Sequence, residues 1–321
     1  MSLTAKNAIV LIAIFFLLIL HVTAQNVITP PETLSPQAVP SITSPELGEP
    51  DYTVNTTDDA IDANPGDGLC ADALGRCTLR AAIMESNAFR LTQTIYVPAG
   101  YYLLTIEGTD EDNAATGDLD IRDYVMLIGE GQDQTIIDGN DIDRVFHVNI
   151  EPLAYDVNLF AAMPVIANMT IQGGNAAYGG GILNETGPTE MITAIQYVTL
   201  RDNYAYGQHP CGIGAGAAIY STNALVLLYS LVTENRTPST STDTTYGAIA
   251  GAPYPAELQY SSIIDNDTDW AIVAGENTCI EYQNSNVNFL SSLLANNAGG
   301  GMYLEISGFN IVESTITGHL S

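Results

Sequence analysis

The chain has 321 residues, 46% of them hydrophobic, and sets 8 Lys+Arg against 37 Asp+Glu for a formal net charge of −29. Such an acidic surface repels phosphate backbones and anionic lipid headgroups, which excludes nucleic acid and the membrane surface as partners. It leaves solubility, or the holding of cations outside the cell, where calcium is available.

In chain order, Lys6 precedes an almost unbroken apolar run from Ala8 to Leu20, and the small residues Val22 and Ala24 stand just ahead of the polar Gln25. A positive start, a short apolar stretch and small residues at that spacing describe an export signal over residues 1–24. The run falls short of the roughly 20 apolar residues that span a bilayer. The expectation is therefore a cleaved signal, a mature chain from Gln25 with no membrane insertion, and a secreted or cell-surface location. Residues 25–50 carry Pro30, Pro31, Pro36, Pro40, Pro45 and Pro50 among Ser and Thr and read as an extended linker.

Residues 51–92 change character. Tyr52 and Val54 begin a short strand that runs into an acidic loop, Asn55 to Asp59, and then to Asn64-Pro65-Gly66-Asp67-Gly68. After Cys77, Thr78 caps a helix to Ala88 in which Leu79, Ala82, Ile83 and Ser86 share one face. Cys70 and Cys77 bracket a short loop containing Gly75 and are the favoured disulfide pair. Cys211 and Cys279 either bridge neighbouring coils or remain buried thiols. Zinc is disfavoured, because no CxxC occurs and the histidines do not cluster with the cysteines.

From residue 93 to 321, short β-type runs alternate with Gly, Asn and Asp. Asn168-Met169-Thr170-Ile171 is echoed by tetrads beginning at Tyr197, Tyr229, Ser261, Ser291 and Glu313. Taking Thr170, Thr199, Leu231, Ser262, Ser292 and Thr315 as equivalent gives a loose period, the trace of a β-solenoid whose strands pair only with the coils above and below. Asn203, Asn235, Asn266 and Asn296 recur at turns, where stacked amides can hydrogen-bond along the axis. Gly179-Gly180-Gly181, Gly212 to Gly216 and Gly299-Gly300-Gly301 read as tight corners, since none has the Lys-Ser/Thr ending of a phosphate loop.

Val54 to Asp59, Asp67-Gly68-Leu69-Cys70 and Cys77-Thr78-Leu79-Arg80-Ala81-Ala82-Ile83 resemble the CSLREA-type N-terminal domain of exported bacterial β-helix proteins. The coils after it, with Val97-Pro98-Ala99-Gly100 and Thr135-Ile136-Ile137-Asp138-Gly139, look like the first turns of a pectin-lyase-like right-handed parallel β-helix. The resemblance implies an all-β solenoid closed at its N-terminal end by the amphipathic helix, Leu79 and Ile83 facing the first coil. It also implies an adhesin-like surface role and transfers no catalytic residue. A solenoid closes both ends, so a chain that stops just after the strand at Thr315 reads as a piece of a longer protein.

The expected function is a non-catalytic secreted or cell-surface stalk that binds polysaccharide or another surface ligand. The alternatives are a pectin-lyase-type polysaccharide lyase or glycoside hydrolase, and a purely structural spacer. A lyase needs clustered carboxylates for calcium beside a cationic base, and beyond the first coil only Arg122, Arg144, Arg201 and Arg236 are basic. A hydrolase needs converging carboxylates; Asp265, Asp267 and Asp269 alternate, but Asn266 places them in a turn. No cofactor is implied other than calcium. Its candidate ligands are Asp62, Asn64 and Asp67, which lack the distal bidentate Glu of a complete calcium loop, and the run Asp110-Glu111-Asp112. Tyr178, Tyr204, Tyr206 and Tyr246 lie near loops and are the candidate carbohydrate contacts. The sequence assigns no oligomeric state.

Overall fold

Branched and aromatic residues recur at every second position of each short strand, and stacking the coils turns that alternation into continuous apolar columns. One column runs Ile95, Leu127, Ile166, Ile195, Leu227, Leu258, Phe289 through successive parallel pairs. A second runs Ile137, Ile171, Leu200, Val232, Ile263, Leu294. A third runs Leu119, Phe146, Ile182, Ile219, Ile249, Ile272. All are buried, and each contributes about 1.5–3 kcal/mol.

The structure, a computed structural model, describes residues 49–89, 92–109, 111–150, 163–185, 192–207, 210, 214–238, 246–251, 256–275, 286–304 and 308–319. They form a right-handed parallel β-helix built on a 15-stranded sheet, whose two strand columns fuse through Val165–Gln172 and Ile192–Arg201, and a 7-stranded sheet beginning at Leu119–Ile121. The described residues belong to one compact unit. Among them no helix is long and apolar enough to cross a membrane.

The corners follow a rule that fixes register. Asn168, Tyr197, Tyr229, Tyr260, Ser291 and Glu313 have φ of 45–58°, and each precedes an inward residue. From Ser230 onward that residue is a serine: Ser230, Ser261, Ser292 and Ser314 each accept from the amide of the preceding coil at 3.1–3.2 Å. The strand equivalent of Ser262 is therefore Leu293 rather than Ser292. The next corner repeats the device. Asp202, Glu234, Asp265 and Asn296 have φ of 53–57°, and the buried ladder is the residue after each. Asn203, Asn235 and Asn266 donate from Nδ2 to the next amide oxygen at 3.0, 2.9 and 2.8 Å, ending on Asn297. Asn297, not Asn296, completes the ladder, because Asn296 occupies the left-handed position.

The N-terminal cap is tied to the first coils. The helix spans Leu79–Phe89 (α1), with the Thr78 hydroxyl accepting from Ala81 N at 3.0 Å as its N-cap. Leu79, Ala82, Ile83 and Ser86 are buried as the spacing predicts, and so are Arg80, Ala81 and Glu85. Arg80, 1% exposed, is the hub. Its Nε donates to Asp59 at 2.6 Å, and its terminal nitrogens donate to the carbonyls of Ala114, Asp118 and Gly117 at 2.9, 3.1 and 2.8 Å. Asn87 closes the open edge of the 7-stranded sheet, its Nδ2 donating to Asp120 O at 2.7 Å and its Oδ1 accepting from Arg122 N at 2.9 Å. Glu85 accepts from the amides of Gly66 and Gly68, both at positive φ, and so folds the acidic loop back on the helix. Cys70 and Cys77 are joined by a disulfide.

Candidate functional site

Two outward-facing places on the early coils gather polar chemistry. The first is a groove of about 360 Å³ on the fused sheet, lined by Gln132, Asp133, Thr170, Arg201, Thr233 and Glu234 among others. Strand register places Asp138, Gln172, Arg201 and Thr233 side by side across four coils. Asp138 is held by the Tyr101 hydroxyl and by Gln172 Nε2, the latter at 2.7 Å. Hydrogen bonding to Asp138, then burial, pushes the Tyr101 pKa up. Arg201 makes no ion pair with a described residue, and its buried Nε has no hydrogen-bond partner. A guanidinium with unused donors is suited to a carboxylate or to sugar hydroxyls.

Beside the groove, four residues before Arg201 and its equivalents in the next coils, Tyr197, Tyr229 and Tyr260 stack. Their ring centroids are 5.0 and 4.9 Å apart and their planes lie within 3° and 5° of parallel. Burial, then the neighbouring tyrosine, pushes the pKa of Tyr197 and Tyr229 up. The stack uses the ring faces on one another and turns edges outward; Tyr260 at its end is 50% exposed.

The second place is the first edge of the 7-stranded sheet. Register sets Asp120, His147, Leu183 and Tyr220 in one row. His147 Nδ1 lies 3.2 Å from Asp120 Oδ1 and 3.6 Å from Asp112 Oδ1, and its Nε2 lies 3.6 Å from Glu185 Oε2. Burial works against a charged ring, but the Asp120 and Glu185 carboxylates outweigh it and hold the His147 pKa at about 9. Behind it Arg144 pairs with Asp118 at 3.0 Å. Burial pushes Asp118 up to about 7; Arg144 pulls it down, while Asp120 and Asp143 add to the rise. Burial first, then Glu185 and Tyr178, raises the pKa of Tyr220, whose ring meets Tyr178 at 5.8 Å.

The residues proposed from sequence fall elsewhere. Asp62 accepts from the amides of Asn64 and Ala71 at 2.8 and 2.9 Å, and Asp67 accepts from Leu69 N at 2.9 Å and Asn64 Nδ2 at 3.1 Å. Loop amides thus hold both carboxylates in the turn. In the other acidic run, Asp110 lies outside the described residues, and Glu111 caps the amides of Asn113 and Thr116 at 3.0 and 2.8 Å. Cys211 and Cys279 also lie outside the described residues. Tyr246 is 5% exposed, packs with Ala205, Ala215 and Ala217, and donates to Tyr206 O at 3.3 Å, so it has no ring face for a sugar. Tyr178 packs half-buried on both small apolar clusters. Tyr204 and Tyr206 lie 6.3 Å apart, with Tyr206 exposed. Asp265 sits at a left-handed corner, and Asp269 accepts from Tyr246 N at 3.3 Å, so the alternating triplet does not converge. The signal that finds the second place is a charged residue inside an apolar strand, in Leu119-Asp120-Ile121 and again in Phe146-His147-Val148.

No family model and no curated protein matches the chain. Among solved structures, a mannuronan C-5 epimerase A-module of Azotobacter vinelandii aligns over 74% of this chain and 82% of its own length, at 16% identity and a TM-score of 0.33. A likeness that loose assigns no activity here.

Proposed function

We propose that this chain is an exported, surface-acting β-helix that binds a polysaccharide along the outer face of the fused sheet, without cleaving it. The observation that carries this reading is Arg201, a guanidinium without an ion pair among the described residues, at the wall of the groove. On a chain of net charge −29, a guanidinium that pairs with neither Asp133 nor Glu234, the acidic residues lining the same groove, is left to meet an anion of the ligand, as an acidic sugar supplies. Gln172 and Thr233, in the same row, supply donors and acceptors for hydroxyls. The tyrosine edges beside them extend the surface along the solenoid axis, so that successive coils can meet successive sugars.

The test is retention on immobilised acidic and neutral polysaccharides with product analysis of the eluate. The reading expects retention of an acidic polymer, weakened by salt and reduced about tenfold by Arg201→Gln, which removes one charge-assisted contact of ~1.5–3 kcal/mol. No retention leaves a structural spacer. Release of unsaturated or newly reducing oligosaccharide replaces binding with lyase or hydrolase activity.

A further inference from the structure

We propose that Asp112, Asp120 and His147 form a binding site for a divalent transition-metal ion of the zinc class, at the capped end of the 7-stranded sheet. Their three ligand atoms lie within 4.8 Å of one another. His147 Nδ1 is 3.2 Å from Asp120 Oδ1 and 3.6 Å from Asp112 Oδ1. Metal–ligand bonds of about 2.0–2.1 Å at tetrahedral angles place ligand atoms roughly 3.3 Å apart, so small side-chain adjustments accommodate the ion. One imidazole with two carboxylates favours zinc or manganese over calcium and magnesium, which prefer all-oxygen sets.

A second observation, independent of the acidic pair, comes from the far side of the ring. The buried Nε2 of His147 has no hydrogen-bond partner and faces Glu185 Oε2 at 3.6 Å. With Nδ1 on a metal, the proton it carried is released to solvent and the one on Nε2 points at a carboxylate, the arrangement that fixes metal-bound histidines. Asp120 is equally prepared. It is fully buried, and its second oxygen accepts from Ala114 N at 2.6 Å. Ala114 is in turn clamped by Arg80. Buried carboxylates also ask for a cation: Asp118, Asp120 and Asp143 are all buried here, and Arg144 pairs with Asp118. The Asp112 side chain, 63% exposed, gives an ion a way in. This site stands or falls independently of polysaccharide binding at Arg201.

The experiment is calorimetric titration of the full chain with zinc chloride, with X-ray absorption at the zinc edge on the loaded protein. The proposal expects one ion per chain with a nitrogen and oxygen ligand shell that includes imidazole. Asp112→Asn should weaken binding at least about tenfold while leaving the melting temperature of the metal-free protein unchanged, since that side chain is largely exposed; His147→Gln should abolish binding. Zinc should raise the melting temperature of the unaltered protein and not that of His147→Gln. Absence of zinc binding, wild-type affinity in Asp112→Asn, or a sulfur-containing shell, which would put the ion on cysteine, overturns it.

Discussion

Arg80→Met tests whether the cap is held by burial of apolar surface or by one cation. The substitution keeps an unbranched side chain of similar reach but removes the ion pair to Asp59 and the bonds to the carbonyls of Ala114, Gly117 and Asp118. Breaking a buried pair by deleting one partner costs about 3–5 kcal/mol. Asp59 retains the amides of Thr105 and Ile106, at 2.7 and 3.1 Å, which offsets part of that loss. The stranded carbonyls add to it, at about 1–3 kcal/mol for each left dry. We expect about 4 kcal/mol, a large share of the ~5–15 kcal/mol that stabilises a domain. Urea unfolding gives the total, and hydrogen exchange at Ala114 and Gly117 shows whether the loss begins in that loop. Asp59→Asn in the Arg80→Met background should recover part of the stability by removing the orphaned charge. A loss under about 1 kcal/mol, or a double mutant less stable than the single, would refute the reasoning.

Asn235→Ala should destabilise by about 3 kcal/mol, because Asn235 joins Asn203 to Asn266 and bonds the Leu200 carbonyl, and its partners have no water to turn to; a shift in urea midpoint no larger than that of a surface alanine would count against the ladder. Tyr229→Leu removes two stacked contacts, worth about 1–3 kcal/mol together, whereas Tyr229→Gly also relieves a left-handed backbone at φ 49° that holds a bulky residue at ~1–2 kcal/mol. Glycine should therefore be no worse than leucine in thermal melts, and a clearly lower melting temperature for glycine would reject the strain argument. The Arg76 side chain, then its amide, lowers the pKa of Asp72. The stability from that pair is therefore complete above the ordinary carboxylate pKa of about 3.9 and lost as pH falls through the lower folded value. Melting temperatures of the wild type and Asp72→Asn should differ at pH 6 and converge toward pH 2; a gap constant with pH would contradict the pairing.

The repeat was legible because packing imposes it: columns such as Ile171, Leu200, Val232 and Ile263 accept only apolar residues, and the serine and asparagine ladders recur about every 31 residues. Register at the last full coil was not. Asn296 and Asn297 are adjacent and chemically identical, and only the left-handed corner distinguishes them. Arg80 was hidden for a different reason: most of its partners are main-chain carbonyls, which have no residue type to recognise, 34–38 positions away. Asp120 and His147 meet only because two strands 27 residues apart align in one register. Two of the stacked tyrosines, Tyr197 and Tyr229, by contrast, open successive echoed tetrads and Tyr260 stands just before the next at Ser261, so their sequence signal was available and pointed to the corner rather than to the loops.

In a solenoid, a position that exists only for packing carries the same class of residue coil after coil, so a departure within a row needs its own physical reason. The row on the 7-stranded sheet reads Asp120, His147, then Leu183, Tyr220, Ala250, Val273. The row beside the groove reads Asp138, Gln172, Arg201, then Thr233, Ile264, Ala295. Both rows are charged or amide-bearing in the early coils and turn largely apolar or small later, although the inward columns beneath them do not change. The departures on the 7-stranded sheet fall on the strands nearest the cap, where Arg80 and Asn87 fix the backbone around Asp118 and Asp120. A solenoid end is ordinarily its most frayed part, and a cap bonded through side chains to main-chain groups makes it rigid instead. Rigid ends are where ligand groups keep their geometry, which accounts for the Asp120–His147 cluster lying at the capped end of the helix.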